Sequence, residues 1–161
     1  MCRLQGLDVL SRSLAVMEDS RIVRFRVVGS PKPKGSTVAM RHRYTGRIIT
    51  MNACAGESDW AGVVYWDAVA ARAYREVFRG AVKVRLDFYL RGARRPKPGV
   101  STLWVNRRHD LDKLVRSVLD AMTGALWVDD SQVAEIVATK RYVRGDDPQA
   151  PGVLIAVGQM E

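Results

Sequence analysis

The sequence predicts a single domain of the α/β (α+β) class, in which a mixed β-sheet packs against two main helices. Its 161 residues are the length of one compact domain. Six short segments rich in β-branched or alternating apolar residues predict strands. Two longer segments place apolar residues at helical spacing. Because both patterns are interspersed along the chain, we expect strands and helices in one domain.

The first part of the domain is predicted to be mainly β-structure. Residues 21–29 alternate between basic and apolar side chains and include several β-branched residues, which predicts a strand. Residues 30–35 contain two prolines and a glycine, which predicts a loop. Residues 37–43 and 47–51 flank a Tyr-Thr-Gly sequence at 44–46, which is typical of a β-hairpin with a basic face.

The middle of the chain predicts a helix followed by a strand. The helix is expected from Glu57 to Phe78, with Ser58 as its cap and Gly80 after its end. The strand is expected at 82–90, where apolar and polar residues alternate, and a basic loop rich in proline and glycine follows at 91–100. The apolar positions at helical spacing are Val63, Trp66, Ala70, Ala73 and Val77.

The clearest amphipathic helix of the chain comes next. Asp110 is expected at its N-cap and Gly124 at its C-terminal end. Strands are predicted at 133–143 and 153–157, with a turn at 146–152 between them. The apolar positions of this helix are Leu111, Leu114, Val115, Val118, Leu119 and Met122.

Composition assigns the chain to the soluble globular class. We expect residues 1–20 to form an N-terminal extension, disordered or a short helix, and residues 21–161 to form the domain. No apolar run approaches the ~18 residues of a membrane span, so no membrane partner is expected. Cys2 and Cys54 are the only cysteines, which argues against a zinc site or a disulfide framework and favours a cytoplasmic location.

Charge is unevenly distributed along a chain whose net charge is +9. Residues 21–56 contain eight Lys or Arg and no acid, and residues 83–108 contain eight more against one acid. Residues 109–135 reverse this balance, with six acids against two basic residues. The basic segments indicate an anionic partner, and they favour nucleic acid over a membrane surface. A divalent cation between the acids and a phosphate would remove their mutual repulsion.

Four aspartates of this acidic segment form the candidate site. Asp110 and Asp112 lie at the helix start, and Asp129 and Asp130 follow the helix. Because a helix of about fourteen residues is ~20 Å long, Asp130 must return along it to meet the first pair. Carboxylates are the ligands that Mg²⁺ prefers, and bound Mg²⁺ supports phosphodiester hydrolysis without a side-chain nucleophile.

Each aspartate also has a structural interpretation. Asp110 is a suitable helix cap, and Asp112 is favourable near the positive end of a helix. Asp129 and Asp130 are typical turn residues before a strand. The individual motifs are therefore weak, and the functional prediction depends on their spacing as a whole.

That spacing resembles the signature of RusA-like Holliday junction resolvases. The family pattern is a basic stretch, D-x-D, an amphipathic helix with a late Asp, a small-residue turn, and an aromatic followed by x-D-D and Gln. The loop at 29–35 after the first strand also looks like the opening of these proteins. The matching residues are Arg107-Arg108-His109-Asp110-Leu111-Asp112, Asp120-Ala121, Thr123-Gly124-Ala125 and Trp127-Val128-Asp129-Asp130-Ser131-Gln132-Val133.

The resemblance implies a homodimeric endonuclease that resolves four-way DNA junctions by symmetric paired nicks in recombination and repair. It implies Mg²⁺ as cofactor, with Mn²⁺ as a substitute, and a phage or prophage origin is common among such proteins. The catalytic, metal-binding residues would be Asp110, Asp112 and Asp130, with Asp129 as an accessory acid.

This chain departs from the family pattern at two positions beside the acids. Lys113 stands where Asn is common, and Arg116 stands where Lys is common. We expect Arg116 to act in catalysis by binding a phosphate or neutralising charge, because a guanidinium does not readily release a proton. Lys113 is an accessory candidate. The structural alternative for Arg116 is an ion pair with Asp112 or Asp120.

Basic residues near the motif are predicted to contact DNA phosphates, although each is also explained as a solvated surface charge. The alternatives to a resolvase are a metal nuclease for flaps or other branched DNA, and a non-catalytic protein that binds branched DNA. The four tryptophans are expected mainly in the core, although Trp104 is also suited to stack on unpaired bases. The predicted phosphate contacts are Lys32, Lys34, Arg41, Arg43, Arg107 and Arg108.

Overall fold

The computed structural model describes residues 22–35, 37–52, 54–73, 75–91, 104–106, 109–143 and 150–160. The predicted N-terminal extension, nearly all of the basic loop at 91–100, and Arg107 and Arg108 lie outside these residues. The strands are β1 (Ile22–Val28), β2 (Thr37–Arg41), β3 (Ile48–Asn52), β4 (Val82–Arg91), β5 (Val133–Val143) and β6 (Gly152–Gln159). The helices are α1 (Glu57–Arg72), α2 (Leu111–Met122) and a 3-10 turn (Asp130–Gln132).

Four strands form one mixed sheet in the order β1-β6-β4-β5. β6 pairs antiparallel with both β1 and β4, whereas β4 and β5 are parallel. Parallel neighbours need a crossover connection, and α2 provides it between β4 and β5. The predicted fold class, a mixed sheet with two main helices, is therefore confirmed.

The crossover determines where each end of α2 lies. A helix that connects two parallel strands runs back against them, so its start lies near the C-terminal ends of β4 and β5. The ammonium of Lys140, late in β5, donates a hydrogen bond of 2.7 Å to the backbone carbonyl of His109. This bond joins the N-terminal end of α2 to the C-terminal part of β5.

The hydrophobic core lies between one face of the sheet and the two helices. Alternate residues of β4, from Val82 to Leu90, are buried in it. The core also includes Leu114, Val118 and Met122 of α2, which confirms the predicted apolar face of that helix. The largest fully buried side chain is Trp127, directly after α2.

The prediction for α1 was wrong at its cap, its end and its buried face. The helix ends at Arg72 rather than Phe78, and Gly56, not Ser58, is its N-cap. The exposed side chains include Val63 and Trp66, the latter 67% exposed. Because this helix has apolar residues on several sides, it offers more than one apolar stripe. The stripe that contains Trp60 and Val64 is the one that packs against the core. The buried residues of α1 are Glu57, Trp60, Val64 and Ala68.

The predicted hairpin is also confirmed. β2 and β3 pair antiparallel as a separate two-stranded sheet, with Thr37 opposite Asn52 and Arg41 opposite Ile48. Among the residues described, no helix has the length and apolar character that crossing a membrane requires.

Candidate active site

Asp110 occupies the N-cap position of α2, as predicted, but its side chain does not cap the helix. Its carboxylate is 67% exposed and lies 3.6 Å from the ammonium of Lys113. The backbone carbonyl of Asp110 does begin the helix, by accepting from the amide of Leu114 at 3.1 Å. Capping therefore does not explain the carboxylate, which remains directed to solvent.

Asp112 lies in the first turn of the same helix and is exposed. Within the described part of the chain, its carboxylate has no hydrogen-bond or ion-pair partner. The partial positive charge of the helix start favours an anion here. Two carboxylates thus lie two residues apart at one exposed helix end, and among the described residues their ion pairing is limited to the surface contact between Asp110 and Lys113.

Arg116 is exposed one helical turn after Asp112. The ion pair with Asp112 or Asp120, the structural alternative, is not formed between these described residues. Asp120 instead pairs with Lys34 at 2.8 Å. The guanidinium is therefore available near the two carboxylates, on the solvent side of α2.

Asp130 lies at the opposite end of α2. Its Oδ1 accepts a hydrogen bond of 3.0 Å from the indole of Trp127 and another from the hydroxyl of Thr123, the C-cap of α2. Thr123 is eleven residues after Asp112, which corresponds to ~17 Å of helix. Within one chain, the structure does not bring Asp130 to the pair formed by Asp110 and Asp112.

Asp129 has a structural role that its sequence position did not distinguish. Its side chain accepts from the amide of Ser131 at 2.9 Å. Hydrogen bonds from the side chain of Ser131 and then from this amide hold the pKa of Asp129 below its usual value. The side chain of Gln132 completes a capping box by accepting from the amide of Asp129. Gln132 also donates to the carbonyls of Phe78 and Gly80. The glutamine of the motif therefore fixes the turn that carries Asp130.

The donor set of one chain fits a partial metal site. In the described ranges, no three His, Cys, Asp or Glu side chains are grouped so that they could hold a metal ion. Mg²⁺, however, is usually bound through one or two carboxylates, with water and substrate phosphate as the other ligands. Asp110 and Asp112 supply that number of carboxylates, whereas Asp130 does not join them within the chain.

Lys34, predicted as a phosphate contact, lies in an internal ion-pair network. Its ammonium is 2.8 Å from Asp120 and 3.5 Å from the buried carboxylate of Glu57. The hydrogen bond with Asp120 is the main reason why the pKa of Lys34 is raised. Glu57 also accepts from the amide of Gly35, and the amide of Lys34 donates to the carbonyl of Lys113. The network ties the proline-rich loop to α1 and α2.

The remaining predicted phosphate contacts are placed differently. Lys32 lies in the same loop and is partly exposed. Arg41 and Arg43 lie in the exposed hairpin, where Arg41 donates to the carbonyl of Gly46 at 3.2 Å. These three side chains are accessible to a large ligand.

Comparison with curated proteins gives no significant match. A family model described as endodeoxyribonuclease RusA matches residues 31–157. The matched region begins in the proline-rich loop, includes the whole of α2 with its flanking aspartates, and ends in β6. The chain therefore belongs to the RusA endodeoxyribonuclease family.

Proposed function

We propose that this protein is a Mg²⁺-dependent endodeoxyribonuclease that resolves Holliday junctions by symmetric paired nicks, in the recombination or repair of cytoplasmic DNA. The observation that carries the proposal is the pair of exposed carboxylates at the start of α2, Asp110 and Asp112, neither of which caps the helix. Family membership supplies the substrate class, and the net charge of +9 suits a polyanion.

In this proposal, Asp110 and Asp112 hold the cation, directly or through water. Bound Mg²⁺, or Mn²⁺ in its place, supplies Lewis-acid stabilisation of the phosphate and a water of lowered pKa. Lys113 compensates the charge of Asp110 before the cation binds, since the two are 3.6 Å apart. Arg116 pairs with the phosphate and stabilises the negative charge that develops during displacement.

The third aspartate requires a second subunit. Asp130 of one chain is held at the far end of α2 by Trp127 and Thr123. In a two-fold dimer, each subunit can offer the same residue to its partner. We therefore propose a homodimer in which the partner subunit's Asp130 joins Asp110 and Asp112. Such a dimer carries two equivalent sites, as paired nicking of a four-way junction requires.

Cleavage of a synthetic four-way junction tests the proposal. Purified protein should nick the junction with Mg²⁺ and not with a chelator, and it should leave linear duplex intact. Asp112→Asn should slow nicking at least about 100-fold. Asp59→Asn is the matched control, because Asp59 is an exposed acid in the first turn of α1, and it should cleave at the wild-type rate.

Three outcomes would contradict the proposal. Nicking by Asp112→Asn at the wild-type rate would refute the assigned site. Preferential cleavage of flaps over four-way junctions would identify a nuclease for other branched DNA. Tight junction binding by the wild type without any nicking would identify a non-catalytic binding protein.

A further inference from the structure

The face of the sheet opposite the helices carries a second set of functional groups. On β4, the residues between the core positions point to this face, and the register with the neighbouring strands identifies the others. We call this surface the open face. Its charged and aromatic residues are Arg24 and Arg26 of β1, Lys83, Arg85, Asp87, Tyr89 and Arg91 of β4, and Glu135 and Arg141 of β5.

A groove of about 340 Å³ lies on the open face along β6. Arg24 and Arg26 of β1 line one side, and Arg85 of β4 lines the other. Leu154 and Ala156 of β6 form its floor between them. Because β1 and β4 are two strand spacings apart, the strands on the two sides of the groove are ~10 Å from each other.

The acid within the groove, Asp87, offsets part of this charge, because it pairs with Arg85 and also lies 3.9 Å from the guanidinium of Arg141. Asp87 is only 2% exposed. Its carboxylate accepts from the guanidinium of Arg85 at 2.9 Å and from the hydroxyl of Thr139. By contrast, Arg24 is exposed. The groove therefore keeps a net positive charge, from Arg24 and Arg26, above an apolar floor, and such a surface suits a phosphodiester backbone.

An exposed aromatic ring, Trp104, lies outside the groove on the β5 side of the open face. Tyr89 is nearly buried between Arg26 and Arg141, whose guanidinium carbons lie 5.7 and 5.2 Å from its ring centre. Arg141 also lies 5.9 Å from the ring centre of Trp104, which is 59% exposed. The Nε of Arg141 is buried and has no hydrogen-bond partner in the described residues. Trp104 thus offers a stacking surface beside an incompletely satisfied guanidinium.

This surface adjoins the candidate active site. Lys140 and Arg141 are consecutive in β5 and therefore point to opposite faces of the sheet. Lys140 holds the carbonyl of His109, next to Asp110, whereas Arg141 contacts Tyr89 on the open face. A strand that left the start of α2 around this end of the sheet would reach Trp104 and then the groove.

We propose that the open face binds a single DNA strand, with its phosphates along the arginines of the groove and an unpaired base stacked on Trp104. That the bound polyanion is DNA rests on the proposed function of the protein as a nuclease. A second copy of the chain fits less well, because two-fold packing would place arginines of the open face against one another. The exposed ring favours unpaired bases over duplex.

Binding measurements in a chelator test this proposal without cleavage. The double variant Arg24→Gln/Arg26→Gln is compared with Arg75→Gln/Arg79→Gln, which removes the same charge at two exposed arginines off the open face. Anisotropy of a labelled single strand is measured from about 50 to about 200 mM salt. The groove variant should bind about tenfold more weakly, with a log–log salt slope smaller by about 1.4, and the control should match the wild type.

Two single variants keep the test decisive. Arg24→Gln alone, at an exposed side chain, should give about half the slope change even if the double variant fails to fold. Trp104→Ala should weaken single-strand binding about tenfold and leave the salt slope unchanged, because stacking displaces no counterions.

The results separate this proposal from the proposed function. If the groove variant and its control bind alike, the open face does not bind DNA, whatever the nicking assay shows. If the groove variant changes the oligomeric state seen by sedimentation, the face is a contact between copies, which also overturns the proposal. If Arg24 and Trp104 contribute to binding but no branched DNA is nicked, the nuclease assignment fails and the open face stands.

Discussion

Mixing two inactive variants tests whether Asp130 acts across a dimer. The perturbation is Asp112→Asn in one preparation and Asp130→Asn in another, each expected to be inactive as a homodimer. In a heterodimer of the two, one site contains both substitutions and the other contains neither. If each site takes Asp130 from the partner subunit, the mixture therefore regains activity.

The magnitude follows from the geometry of α2. Two carboxylates on one Mg²⁺ lie within about 4 Å of each other, since each oxygen is ~2.1 Å from the metal. Asp112 is ~17 Å of helix from Thr123, the residue that holds Asp130. A site within one chain is therefore excluded unless the turn is rebuilt. Random mixing makes about half of the dimers heterodimers with one complete site each, so about a quarter of wild-type sites return.

The assay is the nicking of a supercoiled plasmid that extrudes a cruciform. Wild type makes paired nicks and yields linear DNA, whereas a heterodimer with one complete site yields only nicked circles. A mixture of Asp110→Asn and Asp112→Asn is the control, because both residues belong to the same subunit's share of the site. A mixture of Asp112→Asn and Asp130→Asn that stays at background would refute the shared site. Full activity of the Asp130→Asn variant alone would show that Asp130 is not part of the active site.

Three further predictions concern side chains whose surroundings the structure defines. Lys34→Met should lower the free energy of unfolding by about 1 kcal/mol in urea titrations, because it leaves Glu57 buried without its cation. Since pairing raises the pKa of Lys34 above 10.5, this difference should hold below pH 10.5 and vanish as the pH rises through the raised pKa; a constant difference would refute it. Asp129→Asn should nick junctions at the wild-type rate, because Asn also caps, while Asp130→Asn should not. Arg116→Gln should lower the nicking rate about 100-fold and Arg116→Lys should restore part of it; the wild-type rate in both variants would show that Arg116 is only a solvated charge.

The sequence was sufficient to predict those elements in which one apolar pattern dominates. β5 begins and ends where its β-branched run predicted, and α2 buries its predicted stripe. α1 has apolar residues on several sides, so periodicity alone could not select the stripe with Trp60 and Val64. It ends at Arg72, and Phe78, which was predicted to be helical, instead forms a bridge with Trp127 in the core. Such a choice depends on partners more than forty residues away.

The candidate site was predictable in its residues but not in its assembly. The carboxylates could be identified because acids cluster in a basic chain, but their separation depends on the direction of β5. Since β5 is parallel to β4, α2 runs against both, and Asp130 lies at the end opposite Asp112. The ion pairs of Lys34 could not be predicted, because its partners are distant in sequence, Glu57 by 23 residues and Asp120 by 86.

The open face illustrates the same dependence on long-range pairing. The alternation that predicts β1 and β4 already places Arg24, Arg26 and Arg85 on the polar side of their strands. That these side chains line one groove follows only from β6, the last strand in sequence, which lies between β1 and β4 in space. Because β6 brings Leu154 and Ala156 to this face, it separates the arginines without filling the space between them. The groove is therefore a property of strand order: β1 joins the sheet through β6, so a change that displaced β6 would remove the groove and separate Arg24 and Arg26 from Arg85.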